Sequence, residues 1–364
     1  MNSFLCDGAI MQGEPQITLS ATGKDIEISN IVIKAWRPAI FLGMNSTLKS
    51  MTARSLIWEK PDLRDLGISV SIKIDGEEVN ENICESRAAC LYIEDVRMIL
   101  RAGISRLAEI EGALGNIEYF ASEAVKEEAV STPLLDSVRK LREIIYGGLF
   151  GIVSKYCDCI ERHDDDVYVR LRIVLDNVKS EIEAKLRRIE TSKVRDVSID
   201  NVLPINVNID CKGFKERRRL EIDVRDYRLG KKISVEHVSS AIAAITTLKL
   251  IMCFLSMLTD RQFKILVVEE PEEAMSPPQQ VLFMMFIRKA LDEVKRLVPD
   301  KPIFIVITTH SPYITTSVSD VDTYYFYFDR ERKIFTAISA PPTRPFIYAE
   351  AFQPLIVEEE ASSS

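Results

Sequence analysis

The sequence predicts an α/β fold with antiparallel β elements at its N-terminal end and a helical insertion in its middle. Two buried-strand signals carry the first part. Lys264–Val268, apolar from Ile265 on, and Ile303–Thr308 are short runs without polar alternation, as strands covered on both faces are. A helical stretch, Gln279–Leu297, separates them, and strand–helix–strand alternation with a loop after each strand is the α/β pattern. The insertion rests on a third observation. From Arg87 to about Glu190 the only proline is Pro133, and apolar residues recur at helical spacing.

Taken in order, Gln16–Leu19, Ile26–Ile33 and Ala39–Leu42 read as strands, each rich in β-branched residues and bounded by Gly, Pro or polar residues. Gly43–Ser50 is a polar loop, and Met51–Trp58 reads as the helix after it. Ile68–Ile74 and Glu77–Val79 flank Asp75-Gly76, a hairpin turn signal. Three helices follow. The first is marked by Leu91, Val96, Ile99, Leu100, Ile104 and Leu107, the second by Leu134, Leu135, Val138, Leu141, Ile144 and Ile145. The third is marked by Leu171, Ile173, Val174, Val178, Ile182 and Leu186, with Glu181 and Lys185 paired at i,i+4. Strands resume at Leu203–Ile209 and Leu220–Val224, a helix runs from about Val238 to Leu258, and Thr323–Phe328 is a further buried strand. These elements divide the chain into an N-terminal lobe (1–86), the helical insertion (87–195), a C-terminal lobe (196–340) and a tail (341–364) whose end is expected to be disordered.

Composition narrows the function classes. With 46% hydrophobic and 28% charged residues, the 364-residue chain can bury a core of native size. A net charge of −8 argues against a surface that is wholly a nucleic-acid footprint. No run of 18 apolar residues and no basic, apolar leader is present, so a cytoplasmic protein without a membrane span is expected. The seven cysteines are irregularly spaced, and Cys157-x-Cys159 alone is no zinc framework, so buried or free thiols are the expected state.

Chemistry concentrates at two strand ends. Ile265–Val268 leads into Glu269-Glu270-Pro271-Glu272, which puts carboxylates at the C-terminal lip of a sheet, where α/β proteins bind ligands. One such carboxylate can hold Mg²⁺ and the next can orient or deprotonate an attacking water. A strand ending in a solvated acidic turn is the plainer alternative. The second end is Thr308-Thr309-His310-Ser311-Pro312-Tyr313, where one of only three histidines follows a buried strand. A histidine there can hydrogen-bond a γ-phosphate or the attacking water.

Together these segments resemble a known family. Glu269-Glu270-Pro271-Glu272 with Met275-Ser276-Pro277 and Gln280 is similar to the E-E-P-E-x-x-L-H-P-x-x-Q segment of OLD-like and RecF-like ATPases, P-loop proteins of the ABC type. Thr309-His310-Ser311-Pro312 is similar to their T-H-S-P loop. The resemblance implies Glu269 as the Walker B acid holding Mg²⁺, Glu270 as the catalytic carboxylate and His310 as the γ-phosphate sensor. It departs at Ser276, where histidine is usual.

A phosphate-binding loop is then expected upstream. Gly43-Met44-Asn45-Ser46-Thr47-Leu48-Lys49-Ser50 has the G-x-x-x-x-G-K-[ST] spacing, with Lys49 to neutralise phosphates and Ser50 to ligate Mg²⁺. Leu48 replaces the second glycine, at a position where a Cβ can clash or forbid the needed backbone angles. Val238-Ser239-Ser240-Ala241 resembles the L-S-[GS]-G signature, through which Ser239 would meet the ATP of a second subunit. Ala241 and Ile242 depart from that pattern, and an ordinary serine N-cap is the alternative. No glutamine lies between Gln16 and Gln262, so either another polar residue replaces the usual Q-loop side chain or the metal site is incomplete.

The resemblance covers the N-terminal strand and P-loop, then Val238 to about Phe328. It implies ATP and Mg²⁺ as ligands, a dimer closed by sandwiched ATP, and roles in DNA repair or phage defence. A nuclease domain such as OLD proteins carry has no room after the His310 region, so an effector on a separate chain is expected. Two alternatives stand beside this reading. One is a nucleotide switch with little or no hydrolysis. The other is a DNA-binding structural protein using the basic residues between Lys212 and Lys232, although Glu216, Glu221, Asp223 and Asp226 interleave them as on a solvated hairpin face.

Overall fold

The computed structural model describes residues 14–43, 48–57, 67–79, 81–93, 116–117, 119–120, 122–123, 166–190, 203, 205–212, 219–226, 230–233 and 240–340. In chain order the elements are β1 (Gln16–Gly23), β2 (Ile26–Lys34), β3 (Ala39–Gly43), α1 (Lys49–Arg54), β4 (Ser69–Ile74) and β5 (Glu77–Glu78). Then come α2 (Ile83–Ser86), β6 (Ala88–Ile93), α3 (Asp166–Glu190), β7 (Ile205–Lys212), β8 (Arg219–Asp226), β9 (Lys231–Ile233) and α4 (Ser240–Ser256). The chain continues through β10 (Phe263–Glu269), a 3₁₀ turn at Pro271–Ala274, α5 (Pro277–Leu297), β11 (Ile303–Thr309), α6 (Pro312–Thr316), β12 (Asp322–Asp329) and β13 (Ile334–Ala340). It divides into two compact units: Met1–Tyr92 with Arg261–Val268 and Pro299–Ser364, and Ile93–Asp260 with Glu269–Val298.

The first unit is built on a mixed sheet of ten strands, ordered β5-β4-β1-β2-β13-β12-β3-β11-β10-β6. Its two regions follow from two sequence patterns. In β1 the residues alternate, with Ile17, Leu19 and Ala21 buried, and the strand pairs antiparallel with β2 and β4. In β3 and β11 every residue is buried, and β3 runs parallel to both β11 and β12. Leu42 lies opposite Thr309 on one side and Tyr325 on the other, so β3 and β11 finish together. That shared end puts Gly43 and the chain after Thr309 at one lip. The β4–β5 turn is the expected hairpin: Asp75 and Gly76 both have positive φ, 50° and 89°, as a type I′ turn requires.

β13 pairs with β2 only at Phe335–Ile26 and Thr336–Glu27. Farther along β2, the Tyr324 hydroxyl bridges instead. It donates to the Val32 carbonyl at 2.8 Å and accepts from the Val32 N–H at 3.0 Å. Burial raises the Tyr324 hydroxyl above the usual tyrosine range, so it stays protonated and keeps both bonds. Tyr324→Phe is expected to cost about 1–3 kcal/mol, since it strands a backbone donor and acceptor together. Thermal denaturation checks this, and an unchanged midpoint would show that the two bonds add nothing net.

The second unit holds the three-stranded antiparallel sheet β7-β8-β9 and the helices α3, α4 and α5. Val167, Leu171, Leu175, Val178 and Ile182 form the buried stripe of α3, which packs on α4 and α5. The stripe repeats at intervals of three and four, which turns Ile173 outward, 48% exposed, contrary to its expected place on the apolar face. Glu181 pairs with Lys185 at 2.9 Å as its spacing predicts, and also with Lys289 of α5. Hydrogen bonds from Lys289 and then Lys185 hold the Glu181 carboxyl below the usual glutamate range.

Three further sequence expectations change. Leu91, taken as the start of a helix, sits in β6 at the edge of the ten-stranded sheet beside β10. A short apolar run satisfies either period, and pairing with a neighbouring strand decides it. The remainder of that helix and all of the second lie outside the described residues. Cys84 and Cys90, expected as thiols, form a disulfide whose Cα atoms are 5.5 Å apart, because α2 turns the chain back onto β6. Finally, β13 arises from a stretch not read as a strand. Among the described residues no helix is long and apolar enough to cross a membrane.

Candidate functional site

The lip formed by β3 and β11 carries two of the expected site residues in contact. Lys49 opens α1 and is 3% exposed. Its Nζ lies 2.7 Å from Nε2 of His310, the residue that follows β11. The roles in this contact follow the histidine tautomer: an ammonium has only donors, and an Nε2 that accepts from it leaves the ring proton on Nδ1. Residues 261 positions apart are joined here by the sheet alone.

Local chemistry holds each partner. Thr309 is fully buried, and its hydroxyl accepts the Ser311 N–H at 2.9 Å, which fixes the turn carrying His310. Ser311 in turn caps α6 by accepting the Tyr313 N–H, and Pro312 occupies the first helical position. On the other side, the Thr52 N–H donates to the Leu48 carbonyl at 2.9 Å and starts α1. Leu48 itself is left-handed, at φ 65° and ψ 6°. The backbone thus holds a conformation natural to glycine while carrying a side chain, at an energetic cost of roughly 1–2 kcal/mol.

Of the remaining loop residues, Gly43 ends β3 opposite Phe326, and Ser50 is half-buried as the second residue of α1. Asn45, Ser46, Thr47 and Ser239 lie outside the described residues. Ala241 and Ile242, which depart from the signature pattern, are buried apolar residues of α4, at 5% and 1% exposure. Their side chains therefore belong to the core of the second unit.

The acidic motif sits where β10 ends. Glu269 is the last residue of that strand, and Glu270 precedes the 3₁₀ turn in the left-handed region, at φ 42° and ψ 54°. Proline at 271 pushes the preceding residue away from the right-handed helical region. A non-glycine residue held left-handed is a strained position of the kind that clusters at active sites. Downstream, the Gln279 side chain accepts the Ser276 N–H and the Gln280 side chain donates to the Met275 carbonyl, at 2.9 and 2.8 Å. Ser276, where the resembled family has histidine, here begins α5 as its N-cap.

Among the described residues no cluster of three or more His, Cys, Asp or Glu side chains could hold a metal ion. Mg²⁺ taken up with substrate phosphates needs only one or two carboxylates from the protein, and Ser50 and Glu269 each carry an oxygen donor of the kind it takes. The sequence placed Thr309 in the T-H-S-P segment without its role, which the buried hydroxyl now supplies by accepting the Ser311 N–H. Sequence reasoning missed the Arg54 guanidinium stacked over the Tyr92 ring at 5.4 Å, which ties the end of α1 to β6.

No family model matches the chain, and no curated protein matches it in sequence. Among solved structures, it is similar to the Smc head domain with an extended coiled coil bound to the C-terminal domain of ScpA, derived from Pyrococcus furiosus. Identity is 12%, coverage 93% of this chain and 100% of that one, and the TM-score 0.45. A second SmcHead, bound to the C-winged helix domain of ScpA, is 8% identical over 90% of this chain and 97% of its own, with a TM-score of 0.43. The SMC head domain from Thermotoga maritima is 9% identical over 90% and 99%, with a TM-score of 0.39. Likeness of this degree assigns neither family nor activity.

Proposed function

We propose that the chain is an ABC-type P-loop ATPase that binds ATP at the lip of β3 and β11 and hydrolyses it to ADP and phosphate. The observation that carries this reading is the Lys49–His310 contact at 2.7 Å. The lysine of a phosphate-loop spacing and the histidine of a phosphate-sensing motif, remote in sequence, meet at the C-terminal ends of parallel strands. That is where α/β folds bind ligands.

Lys49 would neutralise the phosphates, with the Gly43–Leu48 backbone wrapped around them. Ser50 and Glu269 would hold Mg²⁺, which supplies further charge neutralisation at the β- and γ-phosphates. Glu270 would orient and deprotonate the attacking water, and His310 would exchange its contact with Lys49 for one with the γ-phosphate. Ser239 would serve the ATP of a second subunit, giving an ATP-gated dimer. An effector on a separate chain and a role in DNA repair or phage defence belong to the same proposal.

Leu48 favours one narrower variant, a nucleotide-binding switch with slow turnover, since a strained side chain stands in the phosphate loop. Calorimetric titration with MgATP, paired with steady-state phosphate release, tests the proposal. One saturable site per protomer with measurable release supports the ATPase, and saturable binding without release supports the switch. No saturable binding would remove both.

A further inference from the structure

We propose that Leu48 is a positioning residue for Lys49, an anchor that has taken over the place of the loop glycine. The proposal rests on the nucleotide-binding reading of Lys49 and deepens it. Three observations on Leu48 bear on it. Its backbone keeps the left-handed conformation, φ 65°, that glycine adopts without strain. Its carbonyl accepts the Thr52 N–H and starts α1. Leu48, half-buried, lines a small apolar cleft together with Met51, Ala21, Ile28, Ile68 and Val70.

The cleft joins the first turn of α1 to β1, β2 and β4, the antiparallel part of the sheet. Lys49, the next residue, reaches in another direction, to His310 after β11. The start of α1 is thereby fixed from two sides, by an apolar contact through Leu48 and a polar one through Lys49. Apolar burial offsets the backbone strain of a left-handed leucine. Glycine at this position would remove the strain and the anchor together, leaving the six-residue α1 tied to the cleft through Met51 and Thr52 and no longer through the residue next to Lys49.

This reverses the expectation from motif spacing alone. If Leu48 were only a defective glycine, Leu48→Gly would tighten MgATP binding. As an anchor, Leu48→Gly and Leu48→Ala should each weaken it about tenfold, a change equal to about 1.4 kcal/mol. Leu48→Met should recover most of what alanine loses, because methionine refills the cleft. A double-mutant cycle separates positioning from general loosening. In a Lys49→Ala background, Leu48→Gly should change MgATP affinity little, since the group it positions is gone.

The experiment is calorimetric titration of the full chain with MgATP across wild type, the three Leu48 variants, Lys49→Ala and Lys49→Ala with Leu48→Gly. Weakening by glycine and alanine, recovery by methionine and no further loss in the double variant are the expected results. Tighter or equal binding by Leu48→Gly overturns the anchor, as does an undiminished tenfold loss in the Lys49→Ala background. Should glycine unfold the chain, alanine against methionine decides on the same terms. Absence of saturable binding by the wild type overturns the nucleotide reading itself, and the anchor with it.

Discussion

Lys49→Ala is expected to weaken MgATP binding by about 30- to 150-fold, the loss of a charge-assisted hydrogen bond worth about 2–3 kcal/mol. The size follows from burial. Lys49 is 3% exposed, so solvent screens its ammonium little and a phosphate cannot replace it with water at small cost. The fold should tolerate the change, because Lys49 is one residue of a six-residue helix whose end is also tied down by Arg54 over Tyr92. Calorimetry on the variant, with its melting temperature measured alongside, checks both statements. Affinity unchanged at full foldedness would mean that Lys49 does not meet phosphate.

Glu270→Gln is expected to lower the steady-state rate of phosphate release by about 10²- to 10⁴-fold, the usual contribution of a positioned general base. Binding should change far less. The amide keeps the shape of the carboxylate and removes only its basicity, so the loss should appear in kcat and not in KM. The left-handed backbone at Glu270 makes the comparison informative. Glutamine inherits the same backbone strain, so a rate difference between the two side chains reports on chemistry. Equal rates would assign the hydrolytic step to another group.

The parts of this architecture that could be read in the sequence are those set by local pattern. The apolar runs of β3, β10 and β11, rich in β-branched residues and bounded by loop residues, read as covered strands, and Asp75-Gly76 as a tight hairpin turn. β6 was not legible, because Leu91 and its neighbours fit a helix or a strand equally, and a partner strand made the choice. β13 was missed for a related reason: its seven residues gain their identity from pairing with β12. Among the candidate site residues, residue types and spacing pointed to Lys49 and His310 and, separately, to Glu269 and Glu270. Their chemistry is carried by side chains that can be named from sequence. The left-handed angles of Leu48 and Glu270 are different. They are tertiary facts, imposed on residues that locally prefer other conformations.

The Lys49–His310 contact is also where the account is most exposed to test. His163, His237 and His310 are the only histidines, so side-chain ¹⁵N signals can be assigned with three His→Gln variants. A titration with Mg²⁺ and a slowly hydrolysed ATP analogue, ATPγS, should move the His310 ring nitrogens as phosphate displaces Lys49 from Nε2. Saturation of the protein with nucleotide while the His310 signals stay in place would contradict the account.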